Sequence, residues 1–291
     1  MPLPICFLNG DYLPLSQASV SPLDRAFLFA DAVYEVIPVY GGRPFRLREH
    51  LDRLARSLAG IRMDPPLGVE AWATVCRELF ARNDAAHRDV YIYLQVTRGA
   101  EFGRNHAWPE GLKPTLFAYL SALEPVSASM LEEGVAAISA EDTRWARRDI
   151  KSTALLANIL LKKLASDAAA FETILHEDGM LTEGSSTTVH IVSGGRLRTP
   201  PNSHHILPGT TRDVVTLLAA RVALPSDVGA VRLPELRAAD EIWLSFSTRG
   251  VLPVTRLDGA PVGSGRPGPA FRRLHAEFIA YRSELAGTPW L

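Results

Sequence analysis

Amine chemistry has few places to happen in this 291-residue chain. Of its 31 basic residues only four are lysines, Lys113, Lys151, Lys162 and Lys163. The rest are arginine, whose guanidinium does not give up its proton to become a nucleophile. Lys151 follows Arg147, Arg148 and Asp149, and cationic neighbours favour the neutral amine that condenses with an aldehyde or ketone. Lys162 and Lys163 fall inside a helical pattern, with Asp167 four residues after Lys163, as on a solvated face. Spacing alone leaves a second reading of Lys151 open, a surface lysine at the entrance to a helix.

Other chemistries find little support. Gly263-Ser-Gly265-Arg-Pro-Gly268 has the G-x-G-x-x-G spacing, but no apolar strand leads into it and Pro267 lies inside, so it reads as a loop. His176, His190 and the pair His204-His205 are joined by no residues at zinc-site spacing, and no metal is expected. Gly184-Ser185-Ser186 is not a nucleophile elbow. A formal net charge of -1 leaves no basic surplus for nucleic acid or an anionic membrane. Cys6 and Cys76 form no disulfide framework and are expected as buried, reduced thiols. No run approaches the ~18 apolar residues of a spanning helix, and the opening residues lack a secretory pattern. The expectation is a soluble cytoplasmic protein without nucleic-acid or membrane partners.

The elements that must position Lys151 mix strands and helices. Asn9-Gly10 marks a hairpin within 7–13. Residues 33–40 are β-rich, Gly41-Gly42 turns them back over 43–47, and Pro38 points to an edge or a bulge. Leu47, Leu51, Leu54 and Leu58 predict a helix over 48–60 with Gly60 as its stop, and a second helix covers 69–82. Residues 89–97 alternate, with Val90, Ile92, Leu94 and Val96 on one face. After a strand over 115–121, the turn-forming run from Leu123 divides the chain into domains 1–122 and 123–291. The second domain has strands over 135–140, 173–176, 187–192, 241–247 and 251–256, with turns at Asp178-Gly179, Gly194-Gly195 and Asp258-Gly259. A helix over 152–169 is predicted to bury Leu155, Ile159 and Leu164. Further helices begin near Thr210 and cover 270–283. The fold class is α/β (α+β), with two domains and a strand-rich second half.

Four segments carry a resemblance. Val33-Tyr34-Glu-Val, Glu49-His-Leu-Asp-Arg53-Leu, Asp149-Ile-Lys151-Ser and Leu181-Thr-Glu183-Gly-Ser-Ser stand in the order found in fold-type IV pyridoxal-phosphate enzymes, which the chain resembles over nearly its whole length. The resemblance implies that Lys151 joins pyridoxal 5'-phosphate as a Schiff base and later carries the substrate proton. Glu183 would contact the pyridine nitrogen, whose protonation lets the ring accept electrons. Arg53 would bind the phosphate, the alternative being an i,i+4 pair with Glu49. Gly209, Thr210 and Thr211, at a helix start, would add donors to the phosphate, and Ser247 and Thr248 hydroxyls. Leu207 would lie against the ring. Tyr34 would orient substrate at the site's rim; otherwise it is a half-buried strand tyrosine.

Arg104-Asn-His106, on a loop after Val96-Thr97-Arg98-Gly99, resembles the R-x-H element of D-amino-acid (D-alanine) transaminases. There it traps the substrate carboxylate with the tyrosine, reaching in from the partner subunit of a homodimer. A solvated basic loop is the alternative. Two positions depart from that subfamily: Thr188 replaces an Asn, and Arg249-Gly250 replaces a smaller polar residue and an acid. Arg249 near the substrate side chain could favour a second carboxylate, as in D-glutamate or D-aspartate. The implied activity is ping-pong transfer of an amino group between a D-amino acid such as D-alanine and 2-oxoglutarate, giving pyruvate and D-glutamate. The alternatives are a branched-chain L-amino-acid transaminase, an (R)-amine transaminase, aminodeoxychorismate lyase, or a scaffold that holds the cofactor without turnover.

Overall fold

A computed structural model describes residues 1–86, 88–284 and 290–291. The chain falls into two units. The first comprises Met1–Leu123, Ile150–Ala154 and Glu284–Leu291, the second Glu124–Asp149 and Leu155–Ser283. The change at Leu123 lies one residue from the sequence boundary. The segment carrying Lys151, which that boundary assigns to the second domain, groups with the first unit instead.

The first unit is built on strands β1 (Pro2–Leu8), β2 (Asp11–Pro14), β3 (Ala32–Tyr40), β4 (Arg43–Pro44), β5 (Val90–Thr97) and β6 (Thr115–Ala122), with helices α1 (Arg25–Phe29), α2 (Leu47–Gly60) and α3 (Val69–Arg82). The strands pair antiparallel in the order β2-β1-β6-β5-β3-β4. The β1–β2 turn places Asn9 at φ 52° and Gly10 at φ 107°, the left-handed region that this dipeptide tolerates. Burial alternates along β5, where Val90, Ile92, Leu94 and Val96 are fully buried; Val33, Ile37 and Val39 are fully buried on β3. They meet Leu47, Leu51, Leu54 and Leu58 of α2 and Trp72, Cys76 and Leu79 of α3 in one core. Gly60 is the last residue of α2 rather than its left-handed stop; Arg62 takes that conformation, at φ 56°. Pro38 pairs in register with Tyr91 without a bulge, on a strand whose other side is covered by β4 only at Val39 and Tyr40.

In the second unit the strands are β7 (Val135–Glu141), β8 (Glu172–Glu177), β9 (Met180–Gly184), β10 (Thr188–Ser193), β11 (Arg196–Thr199), β12 (Ser226–Val228), β13 (Glu241–Phe246), β14 (Gly250–Leu257) and β15 (Ala260–Pro261). The helices are α4 (Ala128–Glu132), α5 (Leu156–Asp167), α6 (Thr210–Arg221), α7 (Leu233–Arg237) and α8 (Pro269–Glu284). The sheet runs β12-β11-β10-β13-β14-β7-β8-β9, with β15 on β14. β7 lies parallel to both β14 and β8. Asp178-Gly179, Gly194-Gly195 and Asp258-Gly259 all turn with positive φ.

Helix α5 corrects the sequence expectation. It starts four residues late, because Ser152 bridges Val33 and Thr153 N–H is drawn into a hydrogen bond with Ala32 O. It buries Leu161 and Ala165, a stripe four residues apart. Ile159 and Leu164, expected inside, are 62% and 46% exposed, alongside Leu156 and Leu160. Among the described residues no helix is long and apolar enough to cross a membrane.

Candidate active site

In the first unit the backbone around Lys151 is tied on two sides. Tyr34 N–H donates to Lys151 O at 3.0 Å, Val33 bridges Ser152, and Lys151 N–H donates to Ser57 Oγ of α2 at 3.1 Å. Ile150 is part of that unit's apolar core. Lys151 is therefore not a loose helix-entrance lysine: it is half-buried, with Nζ 4.4 Å from the centroid of the Tyr34 ring. Tyr34 in turn stacks on Tyr93 with centroids 5.7 Å apart. The arginines that precede Lys151 are matched by acids, Arg147 by Asp149 and Arg148 by Glu177.

Next to Tyr34, Glu35 occupies an inward position of β3 and is fully buried. Its Oε1 accepts Nε of Arg53 at 2.7 Å, and its Oε2 accepts Nη2 at 2.8 Å and lies 2.7 Å from Nδ1 of His50. A carboxylate can only accept, so Nδ1 carries the hydrogen. Burial would raise the Glu35 carboxyl, but the charge and hydrogen bonds of Arg53 and His50 outweigh it and hold the group well below the usual carboxylate range. Burial lowers His50, against the pull of Glu35, and the charges of Arg53 and Lys151 act the same way as burial. Arg53 thus pairs with Glu35, while Glu49 pairs with Arg46 at 3.1 Å. Glu35 and His50 escaped the sequence reading. The signal was present: in the β3 alternation, position 35 falls among Val33, Ile37 and Val39, and an acid in a buried row needs a cation.

Arg104 and His106 are exposed on the loop after β5 and gather on one aromatic ring. The Arg104 guanidinium lies 5.1 Å from the Phe29 centroid and the His106 ring 5.3 Å from it.

In the second unit Glu183 lies near the end of β9, 5% exposed. Its Oε1 accepts Arg144 Nη1 at 2.6 Å and its Oε2 accepts Leu207 N–H at 3.1 Å. Burial pushes the Glu183 carboxyl up, and Arg144 works against that shift. Arg144 is shared, donating Nε and Nη2 to Asp142 at 3.0 and 2.7 Å. For Asp142 the balance falls the other way: burial is outweighed by Arg144 and Thr182, and its carboxyl is lowered. The turn after Glu183 explains its sequence. A Cβ on Gly184 would stand 2.2 Å from Thr187 Oγ1, and Ser185 and Ser186 both donate to the buried carboxylate of Glu172. Arg144 was missed because nothing in its local pattern distinguishes it from the chain's many other arginines.

Thr210 and Thr211 open α6, both buried, with Gly209 at the N-cap and no side-chain cap. A Cβ on Gly209 would lie 2.7 Å from Thr188 Oγ1, so Thr188 packs directly beneath this helix start. Ser247 and Thr248 are half-buried in the turn that joins β13 to β14. Arg249 follows them, but its guanidinium reaches Glu124 Oε2 and Met130 Sδ, each at 3.5 Å, and lies 5.8 Å from the Phe171 ring. Glu124 is thus an acidic neighbour of Arg249 within the second unit. His190, a candidate ligand by residue type, is inside the sheet with Nε2 2.9 Å from Ser245 Oγ.

Comparison with known proteins agrees with this architecture. The D-alanine aminotransferase of Bacillus licheniformis is 40% identical over 261 residues, 90% of this chain and 91% of that one. The D-alanine aminotransferase of Staphylococcus haemolyticus is 36% identical over 276 residues, 94% of this chain and 96% of its own. Among solved structures, the Escherichia coli branched-chain amino acid aminotransferase superposes with a TM-score of 0.88 at 25% identity, covering 96% of this chain and 94% of that one. The T.th. branched-chain amino acid aminotransferase with pyridoxamine 5'-phosphate gives 0.89 at 25% identity, covering 99% and 96%. The family model for amino-transferase class IV matches residues 32–257, from the first residue of β3 to the last of β14, and the chain belongs to that family, with the type IV fold.

Proposed function

We propose that the protein is a D-amino-acid transaminase that uses pyridoxal 5'-phosphate to move an amino group between a D-amino acid such as D-alanine and 2-oxoglutarate, giving pyruvate and D-glutamate. The observation that carries the choice of substrate is the outward display of Arg104 and His106, two carboxylate-binding side chains side by side, in a chain up to 40% identical to D-alanine aminotransferases.

The residues suit the cofactor. A lysine amine fixed through its backbone, a buried carboxylate ringed by a guanidinium and a backbone N–H, and a glycine-led helix start are the donors and acceptors that an aldehyde, a pyridine nitrogen and a phosphate require. Bound there, the cofactor supplies an electron sink for the pair released when a substrate Cα loses its proton. Lys151 Nζ would join the cofactor and then act as the base that takes the Cα proton. Glu183, hydrogen-bonded by Arg144 and Leu207 N–H, would hold a proton on the pyridine nitrogen. Arg53, fixed by Glu35, would supply positive charge to the phosphate, together with the N–H groups at Gly209, Thr210 and Thr211 and the hydroxyls of Ser247 and Thr248. Leu207 would pack on the ring while its N–H orients Glu183. Tyr34, Arg104 and His106 would orient the substrate carboxylate.

The reading includes a homodimer in which the Arg104 loop serves the partner's site. The uncovered apolar face of α5, formed by Leu156, Ile159, Leu160 and Leu164, supports an interface between copies. The buried, unpaired thiols Cys6 and Cys76 suit a reducing cytoplasm. Purified protein given the cofactor and 2-oxoglutarate should form pyruvate from D-alanine. Turnover of L-leucine or L-valine with D-alanine ignored would favour the branched-chain alternative and overturn this one.

A further inference from the structure

We propose that Arg25 is a positioning residue for substrate recognition, holding the backbone of the loop that presents Arg104 and His106. The proposal rests on the reading of those two side chains as carboxylate ligands.

Arg25 is only 3% exposed. Its helix start is anchored by Asp24, which accepts Ala26 N–H at 2.8 Å and the hydroxyls of Thr97 and Thr115 at 2.8 and 2.7 Å. The guanidinium reaches across to the loop. Nη1 donates to Asn105 O at 2.7 Å and to Glu101 Oε1 at 2.9 Å, and Nη2 donates to His106 O at 3.0 Å. Nε donates to Asp31 at 2.8 Å. Asp31 also receives Arg98 at 2.8 and 3.0 Å, and the Arg98 guanidinium lies 4.0 Å from the centroid of the Trp108 ring. One carboxylate therefore anchors two arginines that grip the loop, one at residues 101, 105 and 106 and the other at 108.

The division of labour is clear in the loop itself. At His106 the carbonyl faces a buried cation while the side chain stays exposed with that of Arg104. A loop without regular structure loses conformational entropy when a ligand has to order it. Fixing its carbonyls beforehand removes part of that cost from substrate binding. Only a planar fork can reach two carbonyls and two carboxylates at once; a lysine in its place keeps the charge against Asp31 but not this geometry.

The test is a double-mutant cycle on the cofactor-loaded enzyme. Arg25→Met should lower kcat/KM for D-alanine by about ten- to a hundredfold through KM, with kcat and cofactor content held. In an Arg104→Ala, His106→Ala background the same substitution should cost nothing further, because the loop no longer has carboxylate ligands to position. Losses that multiply would mark Arg25 as a general structural residue and overturn the proposal, as would an unchanged KM in Arg25→Met. An undiminished kcat/KM in the Arg104→Ala, His106→Ala protein would instead remove the underlying reading of the loop. If Arg25→Met does not fold, Arg25→Lys supplies the same comparison.

Discussion

Glu35 of β3 grips both Nε and Nη2 of Arg53 on α2, at 2.7 and 2.8 Å, with the two side chains 0% and 4% exposed. This pair joins the strand that carries Tyr34 to the helix that carries Ser57, the two elements to which Lys151 is hydrogen-bonded. Replacing Glu35 removes the buried carboxylate that the Arg53 guanidinium and the His50 ring both face. Glu35→Gln should therefore cost about 3 kcal/mol in denaturant unfolding and weaken cofactor retention, read as a rise in the pyridoxal phosphate concentration needed for half-activity.

The same pair sets an acid limit. The Glu35 carboxyl is lowered in the folded protein from its ordinary value of 4.5, so its contribution is complete above that pH and is lost as pH falls toward the folded value. Asp31 and Asp142, lowered from 3.8, add losses in the same direction. Stability measured by thermal unfolding should fall steeply below about pH 4.5, and Glu35→Gln should flatten the upper part of that slope.

Glu183 behaves in the opposite sense. Its carboxyl is raised on folding, so at neutral pH it costs stability rather than adding it. Glu183→Gln should leave the cofactor-free protein as stable as the parent or slightly more so, since Arg144 keeps Asp142. Its kcat should drop by about a hundredfold or more, the loss of a preorganised charge at the reacting system. A destabilised variant with normal kcat would contradict both halves.

Gly209→Ala places a methyl 2.7 Å from Thr188 Oγ1. The helix start must then shift, at about 1–3 kcal/mol of stability, and phosphate affinity should weaken with it. Thr188→Gly in the same chain should restore both, which titration of the cofactor into each variant would reveal.

Leu160→Glu, on the bare face of α5, should lower the sedimentation mass toward that of one chain and reduce D-alanine turnover in parallel, if two copies meet there. Retention of the dimer would place the interface elsewhere.

Much of this was legible in the order of residues, and the failures have physical reasons. The turn dipeptides and the alternation from Val90 to Val96 fixed the first sheet, because backbone chirality and burial act locally. The four motifs named Lys151, Glu183 and Arg53. The partners Glu35, His50 and Arg144 were not named, since pairing across a strand, a helix and a turn depends on packing that spacing does not encode. Helix α5 was misread for the opposite reason: Ile159 and Leu164 have the periodicity of a core stripe, yet periodicity reports only that a face is apolar, not what covers it. The neighbours of Arg249, Glu124 and Met130, lie more than a hundred residues away in sequence, beyond the reach of spacing.

The five residues Ile150–Ala154 belong to a different unit from the chain on either side of them, and their hydrogen bonds cap the backbone of β3 at Ala32 and Tyr34. A fragment ending at Leu123 would bare that strand edge and lose Ile150 from its interior. Such a fragment should be prone to sticking to copies of itself, and splicing Ile150–Ala154 onto it in trans as a peptide should be more effective at keeping it dispersed than lengthening it from its end.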